Sequence, residues 1–287
     1  MISIFDDNGE IVFSRRFMIV ENIVSVPTSI KRSRDLKNIE TKQVVQFVID
    51  SPNLQITNPD ETIKTLILQN SNLNNPISNL KPQYTIGSQL IYRYDKPAAF
   101  DAGNEFLFFD NKDIRAGTSS IRRIDLTDIY NNFLYTNIAR FNRPYTYNPD
   151  INGNYQIRAL DAMTNMAIEA DYARVHFALQ YFEDIADKEI HVYGNFNNWT
   201  INESTYMEYD GFSDTYINSQ LFKQGFYNYK YGYTNSLEPN TINYFEGNFW
   251  QTENLYTVLI FHKKNNEKYF KLIGESSIKS LNIKNHL

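Results

Sequence analysis

The fold class is decided by residues 226–233, which read Phe-Tyr-Asn-Tyr-Lys-Tyr-Gly-Tyr. Tyrosine at every second position places an aromatic stripe on one face of an extended chain, because successive side chains of a strand point to opposite faces. Residues 172–179 alternate in the same way between apolar and polar side chains. Residues 256–262 are apolar on both faces, which is typical of a central strand. The three stretches predict β-strands.

The composition favours strands throughout the chain. The 287 residues include 21 Tyr and 20 Phe but only 11 Gly. Tyrosine, phenylalanine and β-branched residues fit a pleated, half-buried surface, and Asn and Asp supply turns. Helical spacing is scarce, and short strands recur at intervals of roughly 8–12 residues. The sequence therefore predicts an all-β fold of tandem immunoglobulin-like β-sandwich domains.

The chain length predicts more than one domain. Residues 1–26 contain a hairpin signal at Asn8 and Gly9. Because two strands alone are not stable, we interpret this segment as the closing β-hairpin of a truncated N-terminal β domain. Residues 27–150 predict the first β-sandwich, and residues 151–287 predict a second β-sandwich with a frayed C-terminal tail.

The composition also excludes several classes of protein. The absence of cysteine excludes disulfides, thiolate metal sites and a cysteine nucleophile. The net charge of -5, with acids and bases interspersed, argues against a nucleic-acid partner, which would require a basic face. No apolar run approaches the ~20 residues that cross a bilayer, and the first residues do not read as a secretory signal. We expect neither a nucleic-acid partner nor direct membrane insertion.

Candidate catalytic and metal-binding side chains are few. His176, His191 and His262 show no ligand spacing within one strand, so we expect them to be exposed strand histidines, and His286 lies in the tail.

The acidic residues between positions 101 and 113 offer a possible acid and base, although charges spaced between strands more often form solvated ion pairs. These acids are Asp101, Glu105, Asp110 and Asp113. We predict no enzyme activity, no metal and no cofactor, and we keep an acid–base enzyme as the last of three hypotheses.

A glycan-binding hypothesis comes from residues 191–199, which read His-Val-Tyr-Gly-Asn-Phe-Asn-Asn-Trp. This stretch resembles the start of the early-set immunoglobulin-like domains found in starch-branching enzymes and glycogen-binding modules. In those modules exposed tryptophans stack on sugar faces, since a flat apolar ring matches the C–H face of a pyranose. The resemblance implies a glycan site at Trp199 and Tyr193. The alternative is a strand corner that is closed by an inward-facing Trp199.

A longer resemblance begins at residues 90–110, which read Leu-Ile-Tyr-Arg-Tyr-Asp-Lys-Pro-Ala-Ala-Phe-Asp-Ala-Gly-Asn-Glu-Phe-Leu-Phe-Phe-Asp. The stretch resembles the plug proteins of the type IX secretion system of the Bacteroidota. Further segments match the family's motifs in the same order along the chain: residues 15–21, 66–70, 79–82, 169–172, 194–199, 223–229 and 246–254. The resemblance spans nearly the whole chain.

The resemblance implies a non-catalytic plug subunit of this protein secretion system. Such a protein is periplasmic and peripheral to the outer membrane, and its partner is the giant outer-membrane β-barrel translocon. It occludes the periplasmic opening of the translocon when no cargo shuttle is engaged. A periplasmic glycan-binding module is the alternative, and we do not expect a homo-oligomer.

The resemblance also gives eight motif positions that are either interface residues or structural residues. They are Tyr94, Asp95, Asp101, Gly103, Asn104, Glu105, Phe109 and Asp110. Of the two roles, we favour a corner that orders the first sandwich.

Overall fold

The computed structural model describes residues 1–15, 17–186, 188–234, 243–264, 266–281 and 283. These residues form an all-β fold, which confirms the all-β part of the predicted fold class. The strands are β1 (Ile2–Phe5), β2 (Ile11–Arg15), β3 (Thr28–Arg32), β4 (Lys42–Asp50), β5 (Ile63–Gln69), β6 (Ile77–Ser78), β7 (Tyr84–Ile86), β8 (Gln89–Tyr92), β9 (Ala99–Asp101), β10 (Leu107–Asp110), β11 (Ile121–Leu126), β12 (Tyr130–Leu134), β13 (Asn137–Ile138), β14 (Tyr155–Ile157), β15 (Tyr172–Gln180), β16 (Glu189–Tyr193), β17 (Glu208–Asp210), β18 (Thr215–Lys223), β19 (Gly225–Thr234), β20 (Leu255–His262) and β21 (Lys271–Lys279).

Helical structure is limited to short pieces. The helices are α1 (Pro59–Thr62) and α2 (Met166–Glu169), and the 3-10 turns are Lys96–Ala98, Asn195–Asn197 and Glu203–Thr205. None of the described helices is long and apolar enough to cross a membrane.

The first pair of sheets, which we call sandwich A, packs around one apolar core. One sheet has the order β3-β4-β8-β7, with β9 also paired to β4, and the other has the order β21-β20-β5-β6. Phe47 of β4, Ile67 of β5 and Val258 of β20 meet in this core, and all three are buried. The strand at residues 256–262 is central in its sheet, as its apolar pattern predicted.

The second pair of sheets, sandwich B, has a core dominated by aromatic rings. One sheet has the order β10-β19-β14, with β16 also on β19, and the other has the order β11-β12-β15-β18-β17, with β13 also on β15. The tyrosine stripe of β19 is buried in this core, where Tyr227 stacks on Phe109 at 4.9 Å between ring centroids. The period-two pattern therefore identified both the strand and its buried face.

Strand pairing corrects the predicted domain boundary at residue 150. Strands β10 to β13 fall inside the predicted first domain but pair with strands of sandwich B. Strands β20 and β21 fall inside the predicted second domain, yet β20 pairs with β5 of sandwich A. Alternation identifies a strand without identifying its neighbour in the sheet, and that is why the sequence did not place these strands.

The two ends of the chain differ in part from the prediction. Strands β1 and β2 pair with each other, whereas residues 20–26 of the same predicted unit pack on sandwich A, with Val24 and Val26 in its core. At the other end, β21 continues to Lys279, and residues 284–287 of the predicted frayed tail, including His286, lie outside the described residues.

Candidate functional site

The chain passes between the two sandwiches through two segments that lie side by side. Residues 102–106 lead from β9 to β10, and residues 245–254 lead back to β20. The backbone carbonyl of Gly103 accepts hydrogen bonds from the Phe249 N–H at 2.9 Å and the Thr252 hydroxyl at 2.7 Å. The sandwiches are therefore joined by two crossing segments that are bonded to each other.

Gly103 is required by both its backbone conformation and its surroundings. Its φ is +68°, in the left-handed region that favours glycine. A Cβ at this position would lie 2.8 Å from Asn243 Oδ1 and 3.0 Å from Lys230 Nζ. Glycine lets the first crossing segment approach these two polar side chains.

Asn104 and Glu105 bind the second crossing segment. The Asn104 side-chain amide donates to the Glu246 carbonyl at 2.9 Å. Glu105 Oε1 accepts from the Tyr145 hydroxyl at 2.5 Å and from the Glu253 N–H at 3.0 Å. Burial raises the pKa of Glu105 to about 7, against the effect of these two hydrogen bonds.

A buried ion pair supports the same junction. Arg140 Nε donates to Glu246 Oε2 at 2.8 Å, and Arg140 Nη2 donates to the Glu105 carbonyl at 2.7 Å. Glu246 is buried, and its Oε1 also accepts a hydrogen bond from the Tyr231 N–H of β19 at 3.3 Å. The guanidinium thus ties both crossing segments to sandwich B.

A cavity of about 510 Å³ opens beside the crossing segments. Its size lies within the range of small-molecule sites. Residues from both sandwiches and from both crossing segments line it: Gln69, Asn70, Asn72, Asn75, Asp101, Ala102, Phe106, Phe141, Trp199, Lys230, Asn243, Tyr244, Gly247, Asn248 and Asn254. The lining combines side-chain amides, aromatic rings, one lysine and one aspartate, which makes this cavity the candidate binding site.

Lys230 is the cationic group of the cavity. Only 3% of the residue is exposed, and its ammonium lies 4.0 Å from the centroid of the Phe106 ring. Burial lowers the pKa of Lys230 to about 8, against the attraction of Glu246, Asp150 and Glu105. No described residue accepts a hydrogen bond or forms an ion pair with its ammonium.

The predicted exposed sugar platform at Trp199 is wrong, and the inward-facing alternative is correct. Trp199 is 7% exposed and packs against Phe106 and Tyr193, at 5.7 Å and 6.1 Å between ring centroids. Tyr193 is buried as well. Trp199 nevertheless lines the cavity, so it belongs to the candidate site as part of the wall.

The other motif positions do not gather at the cavity. Tyr94 packs against the core of sandwich A, and Asp95 accepts hydrogen bonds from the Ser33 hydroxyl and the Arg34 N–H. Phe109 is in the core of sandwich B, and Asp110 forms an ion pair with Lys112 at 3.3 Å.

Asp101 is exposed at the edge of the cavity and pairs with Lys42 at 3.0 Å. The expectation of one corner within the first sandwich is therefore corrected. The motif leaves sandwich A at Asp101, crosses through Gly103, Asn104 and Glu105, and enters sandwich B by Phe109.

The acids of the enzyme hypothesis have separate partners. Asp113 pairs with Arg115 at 3.3 Å, whereas Asp101, Glu105 and Asp110 have the partners given above. Within the described ranges, no group of three His, Asp or Glu side chains is arranged to hold a metal ion.

The expectation of exposed histidines fails at two positions. His191 and His262 are buried, and His191 contacts the Thr205 hydroxyl at 3.1 Å. His176 is half-buried between the Asn131 amide and the Ser219 hydroxyl.

The sequence analysis missed Lys230 and the amides of the cavity. A lysine on the alternate face of a tyrosine stripe suggests a solvated face, yet Asn228 and Lys230 are both buried there. The alternation gave no signal for this burial, because it does not show which segments cover the second face of the strand.

Substitution of Glu105 by Gln is expected to flatten the pH dependence of stability. The folded-state pKa is raised above its unfolded value, so the stability contribution of Glu105 is complete below pH 4.5 and is lost as the pH rises through about 7. Gln cannot ionise, so this loss should be absent from the variant. Between pH 5 and pH 8, the unfolding free energy from urea titrations should change by about 2 kcal/mol less in Glu105→Gln than in the parent. The control Asp101→Asn removes an exposed carboxylate of the same motif. An unchanged pH 5 to pH 8 difference in Glu105→Gln would contradict the expectation.

Comparison with known proteins gives a structural likeness. No protein-family model and no curated protein matches the chain. The crystal structure of a hypothetical protein from Parabacteroides merdae is similar to it, with a TM-score of 0.88 and 28% sequence identity. The alignment covers 94% of this chain and 68% of that chain, so the arrangement of both sandwiches is shared between the two proteins.

Proposed function

We propose that the chain is a non-catalytic plug subunit of the type IX protein secretion system, acting in the periplasm at the opening of the outer-membrane translocon. The observation that carries the proposal is the position in the fold of the segments that match the family's motifs. Segments 90–110, 194–199 and 246–254 are far apart in sequence, and they meet at the junction of the two sandwiches.

The junction gives the molecule the property that a plug requires. An opening wide enough for folded cargo needs a body that keeps its shape, and a preorganised surface binds at a low entropic cost. Two mutually bonded crossing segments and the buried Arg140–Glu246 pair couple the sandwiches. Contact area, rather than catalytic groups, would then provide occlusion.

An exposed apolar surface is a second observation that supports the proposal. In the hairpin of β1 and β2, Ile4 lies opposite Phe13, and Ile2, Ile4, Ile11 and Phe13 are all exposed. Contiguous exposed apolar side chains mark interaction sites. We assign this hairpin to contact with the translocon.

The test is an affinity pull-down with the tagged, full-length protein from mild-detergent extracts of its own outer membranes. The parent strain and a strain that lacks the cargo shuttle are compared. Recovery of a very large β-barrel, enriched without the shuttle, supports the proposal. A folded bait that recovers no barrel from either strain overturns it.

A charge in the hairpin should weaken that recovery. Phe13→Asp places a carboxylate on the exposed apolar face without disturbing a core, and we expect about tenfold less barrel, the loss of one central contact. The matched control is Leu126→Asp, since Leu126 is an exposed apolar residue of β11 in sandwich B. Equal recovery with both variants would show that the hairpin is not part of the interface. The plug role would then be tested by the pull-down with the parent protein alone.

The second candidate is a periplasmic glycan-binding protein. The observation that favours it is the cavity, where aromatic rings and side-chain amides line one volume. Aromatic faces with a few polar groups are typical of small-molecule sites. Retention on polysaccharides, measured for the parent and for Trp199→Phe, tests this candidate. The variant replaces the indole but keeps an aromatic ring at the buried position.

A further inference from the structure

The cavity between the sandwiches contains a cation with which no described residue pairs. Only 3% of Lys230 is exposed, and its ammonium has no hydrogen-bond acceptor among the described residues. Burial of an unpaired charge is costly, so such a group normally has an anionic partner. The contact with the Phe106 ring offsets part of this cost and leaves the hydrogen-bonding capacity of the ammonium unused.

The three acids that attract Lys230 bind other groups, although Glu105 Oε2 has no hydrogen-bond partner among the described residues. Glu246 binds Arg140, and Glu105 accepts from Tyr145 and from the Glu253 N–H. Asp150 accepts from the Phe106 N–H at 2.6 Å and from the Asn152 N–H at 2.7 Å. These carboxylates attract the ammonium from a distance, but none lies within 4.0 Å of it. A ligand in the cavity could therefore supply the hydrogen-bond acceptor for the ammonium.

Four of the amide residues that line the cavity form two groups. Asn70 and Asn254 are committed to the fold, since Asn70 donates to Asn254 Oδ1 at 2.7 Å and Asn254 donates to the Ala102 carbonyl at 2.8 Å. The Asn243 side chain and Asn248 Nδ2 have no hydrogen bond within the described part of the chain. Asn248 is held in place because its Oδ1 accepts from the Gly103 N–H at 2.9 Å.

The unused polar groups lie together. A Cβ built on Gly103 would have Asn243 Oδ1 at 2.8 Å and Lys230 Nζ at 3.0 Å as its nearest neighbours, and the Gly103 N–H donates to Asn248. An ammonium and an amide N–H₂ are hydrogen-bond donors, and two donors of this kind fit the two oxygens of a carboxylate.

Aromatic rings form another part of the cavity wall, which also includes Gln69, Asn72, Asn75 and the carboxylate of Asp101 that pairs with Lys42. Phe106, Phe141, Trp199 and Tyr244 supply rings on which the C–H face of a pyranose can stack. We propose that the cavity binds a sugar acid, whose carboxylate is held by Lys230 and whose ring lies against these aromatic side chains. Asn243 and Asn248 bind oxygens of the ligand. This inference does not rest on the plug role.

Isothermal titration calorimetry of the full chain at pH 7 tests the inference. The probes are glucuronate, galacturonate, mannuronate and N-acetylneuraminate, with glucose as the neutral sugar and N-acetylglycine as a carboxylate without a sugar. At least one sugar acid should bind about tenfold or more tightly than glucose, the difference made by one charge-assisted hydrogen bond.

Variants identify the residue that acts. Lys230→Met keeps the approximate length of the side chain and removes a buried charge that pairs with no described residue, so the variant should be as stable as the parent by urea unfolding. Its affinity for the sugar acid should fall about tenfold or more. Lys112→Met, at an exposed lysine paired with Asp110, is the matched control and should bind like the parent.

Three results overturn the inference. They are the absence of heat with every sugar acid, equal affinity for the sugar acid in Lys230→Met and the parent, and binding of N-acetylglycine without binding of a sugar acid. The last result would assign the cavity to a peptide carboxylate. Because no membrane partner takes part in the titration, its outcome is separate from that of the pull-down.

Discussion

Replacement of Arg140 by Met is expected to destabilise the protein by about 3–5 kcal/mol, the cost of leaving a buried carboxylate without its partner. Glu246 is buried, and its carboxylate accepts one hydrogen bond from the Arg140 guanidinium and one from the Tyr231 N–H of β19. The substitution also removes the donor to the Glu105 carbonyl. Urea unfolding followed by circular dichroism measures the loss.

Two further variants separate charge from packing at this position. Arg140→Met combined with Glu246→Gln removes both charges and should recover much of the lost stability, because a neutral buried pair lacks the uncompensated carboxylate. Arg115→Met removes an exposed arginine that pairs with Asp113 and Asp161, and should cost less than about 1 kcal/mol. If Arg140→Met cost no more than Arg115→Met, the junction would not depend on the buried pair.

Gly153→Ala is expected to destabilise the protein by about 2–5 kcal/mol, from a left-handed backbone cost of about 1–2 and an overpacking cost of about 1–3. Gly153 has a φ of +77°. A Cβ there would lie 2.2 Å from Trp199 Cη2 and 2.8 Å from Phe106 Cε1. Because both rings line the cavity, the variant should also disturb any ligand bound there.

Gly87→Ala is the matched control for the steric part. Gly87 has a φ of +58°, and a Cβ at this position would meet nothing within 4 Å. Its substitution therefore carries the backbone cost alone, about 1–2 kcal/mol. Denaturation midpoints for both variants give the difference, and equal losses would show that the Trp199 and Phe106 rings move aside freely.

Local patterns were sufficient to predict strands at residues 226–233 and 256–262 and the face that the tyrosines of β19 share. The alternation in β19 placed its tyrosines in the core of sandwich B, and the two-sided apolar run at residues 256–262 identified a central strand. Both predictions depend on the period of a strand, which is a property of a few consecutive residues.

Pairing and burial over long separations could not be predicted in this way. Nothing in the local sequence of β20 specifies β5 as its neighbour, and the domain boundary was misplaced as a result. The burial of Lys230 could not be predicted from the alternation of β19, because Phe106, which packs against its ammonium, is far from it in the sequence. The glycan resemblance identified Trp199 but not its inward orientation.

The return of the chain to sandwich A has a consequence for the order of synthesis. Gln69 of β5 pairs with Tyr256 of β20, so a ribosome must add 187 residues after Gln69 before that partner exists. Sandwich B is complete in sequence before sandwich A, although sandwich A starts first. The nascent chain therefore carries an open sheet edge at β5 through most of its elongation, and edges of this kind recruit other strands. Early folding of sandwich B brings the two ends of that long loop together and shortens the search for closure.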